Sequence, residues 1–221
     1  MRKQPFIIMA KIKILPPKIP GGLTSVQYLD MNESSFELLE INDCRIVGEE
    51  IERLRFEQVI FKNVHFIDVD FRNIELIDVI FDHCDLSNAN FTDAIIHRVE
   101  FNESKIVGLN LSEATIHNVL FNHCHGNLTA FGYSRMKQVT FMNSSLRNAD
   151  YYEATFHKVT FENCDLNEAN LSGTSLNGMD LTSCTFNQLL VGRDDLNGCI
   201  VSPEQAIGFA GLLGLIVKND L

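Results

Sequence analysis

From Phe36 to Val201 every fifth residue is apolar: Phe36, Ile41, Ile46, Ile51, Phe56, Phe61 and so on through thirty-four positions. Gly126 is the one exception to a large apolar residue in that series. An α-helix repeats its inward face every 3.6 residues and a flat strand every 2, so neither explains a period of five. The position two residues earlier in each unit is also restricted, mostly to Val, Ala, Cys, Ser, Thr or Leu, while the other three are polar in most units. Two side chains in five therefore point inward and three outward. The segment Ala169-Asn170-Leu171-Ser172-Gly173 shows the pattern in its purest form, and no insertion interrupts the run.

A second period, of twenty, lies over the first. Val59, Val79, Val99, Val119, Val139 and Val159 recur in step, each followed two residues later by Phe61, Phe81, Phe101, Phe121, Phe141 or Phe161. Cys or Ser recurs at Cys84, Ser104, Cys124, Ser144, Cys164 and Cys184. Four five-residue units thus make one turn of a square coil, with one unit per side, and residues twenty apart stack at the strand spacing of about 4.8 Å. About eight such coils give a rod roughly 40 Å long.

Both ends of a rod expose core and unpaired backbone, so caps are expected. Ser202-Pro203-Glu204-Gln205 reads as a helix start, with Ser as N-cap, Pro in the first turn and Gln closing a capping box. Ala206, Ile207, Phe209, Ala210, Leu212 and Leu213 supply its apolar face, Gly214 stops it, and Leu215-Ile216-Val217 reads as a short strand. The surplus apolar residues Leu212, Leu213, Leu215 and Ile216 are expected to meet a second copy in a homodimer. At the other end, Lys11–Pro20 holds three prolines and is expected to be an extended arm. The organisation predicted is an arm and cap over 1–35, a repeat rod over 36–201 and a C-terminal cap over 202–221.

The formal net charge is −11, unevenly placed: residues 1–20 hold Arg2, Lys3, Lys11, Lys13 and Lys18 and no acid. An acidic body disfavours direct binding of nucleic acid and suits partners with basic surfaces. The six cysteines, 44, 84, 124, 164, 184 and 199, all fall on the restricted inward position, so they read as reduced packing residues rather than a disulfide framework. The apolar run Phe6–Ala10 is too short for a signal-peptide core, Met9 is a second candidate start, and no stretch is long enough to span a bilayer. A cytoplasmic protein is expected.

No nucleophile elbow, phosphate loop, metal-binding Cys pair or zinc-protease helix is present, so neither catalysis nor a cofactor is expected. His97, His117 and His157 share an outward column, but Lys137 interrupts it and no carboxylate joins it, which favours a solvent-facing ladder over a metal site. Outward Ile60, Ile80 and Leu120 are candidates for a partner-binding stripe. Gly126 is expected to mark a local bulge or void, with Phe131 as a candidate to fill the gap.

The units Cys84-Asp85-Leu86, Ala89-Asn90-Phe91, Ala149-Asp150-Tyr151, Cys164-Asp165-Leu166 and Ala169-Asn170-Leu171 resemble the pentapeptide-repeat superfamily. That resemblance implies an all-β, right-handed quadrilateral β-helix with a short C-terminal capping helix. The stretch Val201-Ser202-Pro203-Glu204-Gln205-Ala206, followed by Leu213-Gly214-Leu215-Ile216-Val217, is similar to the C-terminal cap of Qnr-type quinolone-resistance proteins. The paired prolines of the arm resemble the chromosomal members from Gram-positive bacteria. The resemblance implies homodimers joined through the caps, binding to DNA gyrase and topoisomerase IV, and protection of both from quinolones by a rod that mimics duplex DNA. Enterobacterial members interrupt their coils with functional loops and this chain does not, so a scaffold or toxin-immunity role stands as the alternative.

The outward residues test the charge part of that expectation. The side carrying the Val/Phe ladder holds Glu40, Asp43, Asp82, Glu100, Glu103, Glu162 and Asp180 against Lys62. The opposite side holds Glu50, Glu52, Asp70, Asp93, Glu113, Asp150 and Glu153 against Arg53, Arg72 and Arg193. The remaining two sides are near neutral, with His117 and Asn118 read as outward on one of them. The candidate partner-binding residues are therefore Asp82, Glu100, Glu103, Glu162 and Asp180.

Overall fold

Residues twenty apart in the chain lie side by side in a computed structural model, which describes residues 13–218. The strands are β1 (Thr24–Val26), β2 (Ser35–Glu37), β3 (Leu39–Asn42), β4 (Arg45–Val47), β5 (Arg55–Lys62), β6 (His65–Ile67), β7 (Glu75–Asp82), β8 (Ile95–Asn102), β9 (Thr115–Asn122), β10 (Arg135–Met142) and β11 (Thr155–Glu162). All pair in parallel, and from β5 through β7 to β11 the register is that of the sequence period: Val79 faces Val99, Val99 faces Val119 and Phe101 faces Phe121. Single parallel bridges such as Asp85–Lys105, Asn90–Asn110 and Asp180–Ile200 continue the stacking on the other sides. The result is a right-handed β-helix with a small helix near its C-terminus.

From residue 38 to residue 178 what turns the chain at each corner is a left-handed residue, two positions after the central apolar one. Asp43, Asn63, His83, Glu103, His123, Asn143 and Asn163 have φ between 47 and 54°, and the same conformation recurs at the other corners of those coils, whereas Ser183, Gln188 and Arg193 of the last coil do not adopt it. Asn, Asp and Gly occupy many of these sites, as expected where an L-residue with a Cβ is strained. Leu128 (φ 63°) and Tyr133 (φ 59°) sit at corners too, which is why these apolar side chains are 62% and 53% exposed.

The core is a set of columns. Phe61, Phe81, Phe101, Phe121, Phe141 and Phe161 stack face to face with centroids 4.7–4.9 Å apart. In the neighbouring column the hydroxyls of Ser104 and Ser144 accept from the Cys84 and Cys124 amides, at 3.0 and 2.9 Å. Cys84, Cys124, Cys164 and Cys184 are buried and all six cysteines are free. At Gly126 the gap is taken by Ile106 and Leu146 of the adjacent coils, whose atoms lie 3.0–3.1 Å from where a Cβ would stand. These two, rather than Phe131, account for the missing side chain.

At the C-terminus, α1 (Pro203–Gly208) starts on the expected capping box: the Gln205 amide donates to Ser202 Oγ and the Ser202 amide to Gln205 Oε1. The Gln205 side-chain amide also donates to Leu181 and Cys184 carbonyls, both at 2.9 Å, tying the cap to the last coil. A 3₁₀ turn (Ala210–Leu213) follows and ends at left-handed Gly214. Phe209 packs against Phe186, but Ile207, Leu212 and Leu213 stay exposed, so the apolar face is only partly used. Leu215-Ile216-Val217 does not form the predicted strand: it follows left-handed Gly214 without regular structure.

At the N-terminus β1 and β2 pair with β3 and β5 and place a cap within residues 21–35. Residues 13–20 of the arm are without regular structure and lie along the rod. They cover Asn118, which is 2% exposed rather than outward. The run Phe6–Ala10, Met9 and Lys11 lie outside the described residues.

Candidate partner-binding surface

The predicted acidic residues reach the surface through two different local geometries. Glu100 lies within β8, on the outward alternation of the strand, and is half-buried between Ile80 of β7 and Leu120 of β9. Glu103 occupies a corner and is exposed. Asp82 and Glu162 end β7 and β11, and Asp180 lies beyond the last long strand. Glu100 and Asp180 belong to one column four coils apart, about 19 Å. The five residues are thus brought to one side of the rod, spread along it rather than gathered in a pocket.

Neighbours temper that side. His83 Nδ1 lies 2.7 Å from Asp82 and its Nε2 lies 3.1 Å from Glu103, so one imidazole joins two of the five candidates. The hydrogen bond to Asp82, and then the charges of Asp82 and Glu103, push the His83 pKa up. Protonation of His83 leaves this part of the surface less negative as pH falls. Lys62 pairs with Glu40 at 2.9 Å, and its hydrogen bond holds the Glu40 carboxyl below its usual range. Glu162 and Asp180 line a shallow groove of about 780 Å³ together with Lys13 and Lys158, so these two acids share their surroundings with cations.

The opposite side is acidic at its corners. Asp93, Glu113 and Glu153 are exposed left-handed residues in one column, with Tyr133 standing between Glu113 and Glu153. Tyr133 and Tyr152 meet edge to face at 5.5 Å, and both rings are exposed. Both tyrosines fall at outward positions of their five-residue units, where neither adds to the balance of acids and bases. On the other two sides charges are largely matched. Arg55 pairs with Glu57 and Glu75, Arg147 with Asp165, and Arg98 with Asp78.

The histidine column behaves as a ladder. His97 and His117 rings lie 4.9 Å apart, and His117 Nε2 is 3.2 Å from Gln138 Oε1. Desolvation, then the Arg98 and His117 charges, hold the His97 pKa down. Among the described residues no group of three or more His, Cys, Asp or Glu side chains is arranged to hold a metal ion, and no helix is long and apolar enough to cross a membrane.

Comparison with known proteins agrees with this architecture. A family model described as a pentapeptide repeat region matches residues 74–150 and 134–199. An uncharacterized protein of Bacillus subtilis strain 168, YisX, is 46% identical over 211 residues, covering 95% of this chain and 100% of its own length. Among solved structures, a trypsin-treated form of QnrB1, a plasmid-mediated fluoroquinolone resistance protein, aligns with a TM-score of 0.50. That match is 19% identical and covers 81% of this chain and 100% of the other, a likeness of fold. With the five-residue period, the stacked columns and the left-handed corners in agreement, this chain belongs to the pentapeptide-repeat family.

Proposed function

We propose that this protein binds type II topoisomerases, DNA gyrase and topoisomerase IV, as a mimic of duplex DNA, and protects them from quinolones. The observation that carries the reading is that carboxylates stand on two opposed sides of the rod. Duplex DNA carries a charge every 1.7 Å or so of its axis, and a protein groove that binds it is lined with cations. Columns of carboxylates repeating at multiples of about 4.8 Å give a sparser version of the same field. The fold shared with QnrB1 supports the reading further. Association would be steered by charge and weaken with salt, since exposed charges are screened over about 8 Å at physiological ionic strength.

Homodimerisation through the C-terminal cap belongs to the same proposal. Leu212, Leu213, Leu215 and Ile216 are 43%, 58%, 59% and 91% exposed. Four large apolar residues left in water on one short segment suit an isologous contact with a second cap. The uninterrupted register from residue 36 to 201 favours the alternative, a scaffold or immunity protein that does not act on topoisomerase, because it leaves no loop to reach into an enzyme.

The test is gyrase supercoiling in the presence of ciprofloxacin, with three full-length proteins. Glu100→Lys/Glu103→Lys reverses charge on the Val/Phe side. Asn148→Lys/Glu168→Lys makes a comparable change on a near-neutral side, where Asn148 and Glu168 are exposed and joined by a 2.8 Å hydrogen bond. The first variant is expected to lose protection and the second to keep it. Equal loss, or none in either, would move the scaffold reading ahead.

A further inference from the structure

The arm is held by one column of side chains, read through its backbone. The Gln138 side-chain amide donates to the Lys13 carbonyl at 3.1 Å, and the Leu15 amide donates to Asn118 Oδ1 at 3.2 Å. The Lys18 amide donates to Asp78 Oδ1 at 2.8 Å, and the Gln58 side-chain amide donates to the Lys18 carbonyl at 3.0 Å. Residues 58, 78, 118 and 138 are corners in one column of the rod, each with φ of 54–56°. Arg98, the fifth member of that column, is turned onto Asp78. Asp78 and Asn118 are 3% and 2% exposed.

The geometry of the arm matches that column. Pro16, Pro17 and Pro20 fix its backbone near the extended region and bias the residues before them likewise. An extended proline-rich chain rises about 3.1 Å per residue, so three residues from Leu15 to Lys18 span about 9 Å, close to the two coils between Asn118 and Asp78. Pro16 and Pro17 have no amide proton, and the two donors used flank them. Ile14, Pro17 and Ile19 are half-buried, whereas Lys13, Leu15, Pro16, Lys18 and Pro20 are exposed. Next come Gly21 and Gly22, the latter at φ 83°, with open space around both.

We propose that this column is a binding track for an extended chain of the pattern Ile-Leu-Pro-Pro-Lys-Ile, and that the occupant that can replace the protein's own arm is the arm of a second copy. The track reads main-chain donors and acceptors, so it cannot tell its own arm from a partner's. The diglycine beside it supplies a hinge, and exchange of one element between identical chains across a hinge is the ordinary route to a swapped assembly. This inference is independent of topoisomerase binding.

The test uses full-length protein and a fluorescein-labelled synthetic peptide of residues 11–22. Leu15→Pro/Lys18→Pro removes both arm donors and leaves the track intact. That variant is expected to bind the peptide at least tenfold more tightly than the wild type does, and a peptide carrying the same two prolines is expected to bind at least tenfold more weakly. Equal binding by variant and wild type, or by the two peptides, overturns the track. Exchange between copies is read by energy transfer after mixing Leu15→Pro/Lys18→Pro with a second full-length variant, Asn118→Leu/Gln138→Leu, whose arm is intact and whose track is not. Transfer between the unlike variants is expected to exceed that within either alone at least threefold. Equal transfer in all three mixtures overturns arm exchange.

Discussion

Phe101 and Phe121 stack across adjacent coils with their ring centroids 4.7 Å apart and their planes inclined by 7°. Phe121 repeats the contact with Phe141 and takes an edge-on contact from Phe131, with no solvent exposure. Phe121→Ala therefore removes a ring from the middle of a continuous column, and closure of the gap would require neighbouring coils to shift together. A loss of about 3–5 kcal/mol is expected in urea unfolding. A loss below about 1 kcal/mol would contradict the burial of this column.

The thiols set an alkaline limit on stability. Burial pushes Cys84, Cys124 and Cys164 up to about 12 from the usual value near 9. Below pH 9 these groups are protonated in both folded and unfolded chains, and their stability contribution is fully present. Between about 9 and 12 only the unfolded chain releases protons, so stability falls as pH rises, by up to about 1.4 kcal/mol per pH unit for each thiol. Cys124→Ala is expected to flatten the alkaline slope of the denaturant midpoint by about one thiol's share. In unfolded protein that has never been reduced, thiol titration is expected to find all six cysteines free.

Leu128 holds a left-handed corner that costs a residue with a Cβ about 1–2 kcal/mol, and its side chain is mostly in water. Leu128→Asn is expected to stabilise the rod by about 0.5–1 kcal/mol, seen as a higher urea midpoint at an unchanged slope. A lower midpoint would mean that the exposed leucine makes contacts that outweigh its backbone strain.

The proposed dimer contact is tested at two of its four exposed residues. Leu213→Glu/Ile216→Glu is expected to give monomers by light scattering while the circular dichroism of the rod stays unchanged. An intact dimer would place the interface elsewhere.

The columns of Val59 to Val159 and Phe61 to Phe161 were legible in the sequence because a solenoid writes its stacking as a repeat distance. Whatever depends on contacts between distant segments was not. Asp78 and Asn118 stand at a position that the period marks as outward, yet they are buried, and Lys18 and Leu15 reach them from 60 and 103 residues away. The joining of Asp82 and Glu103 by His83 needs a side-chain torsion as well as a register. The left-handed corners carried a visible signal, the recurrence of Asn, Asp and Gly two residues after the central apolar one, which a simple division into inward and outward positions passes over.

A stack of coils is a one-dimensional object in which each layer feels only its neighbours, so it can fray from an end or part in the middle at the cost of a single interface. The arm changes that. From Lys13 at the layer of Gln138 to Lys18 at the layers of Asp78 and Gln58, it ties five successive layers with one short length of chain. Parting any two of those layers must also strain or release the arm. Those five layers are thereby coupled over a distance that the ladder alone does not provide, so that separating any neighbouring pair of them is resisted by the whole length of the arm.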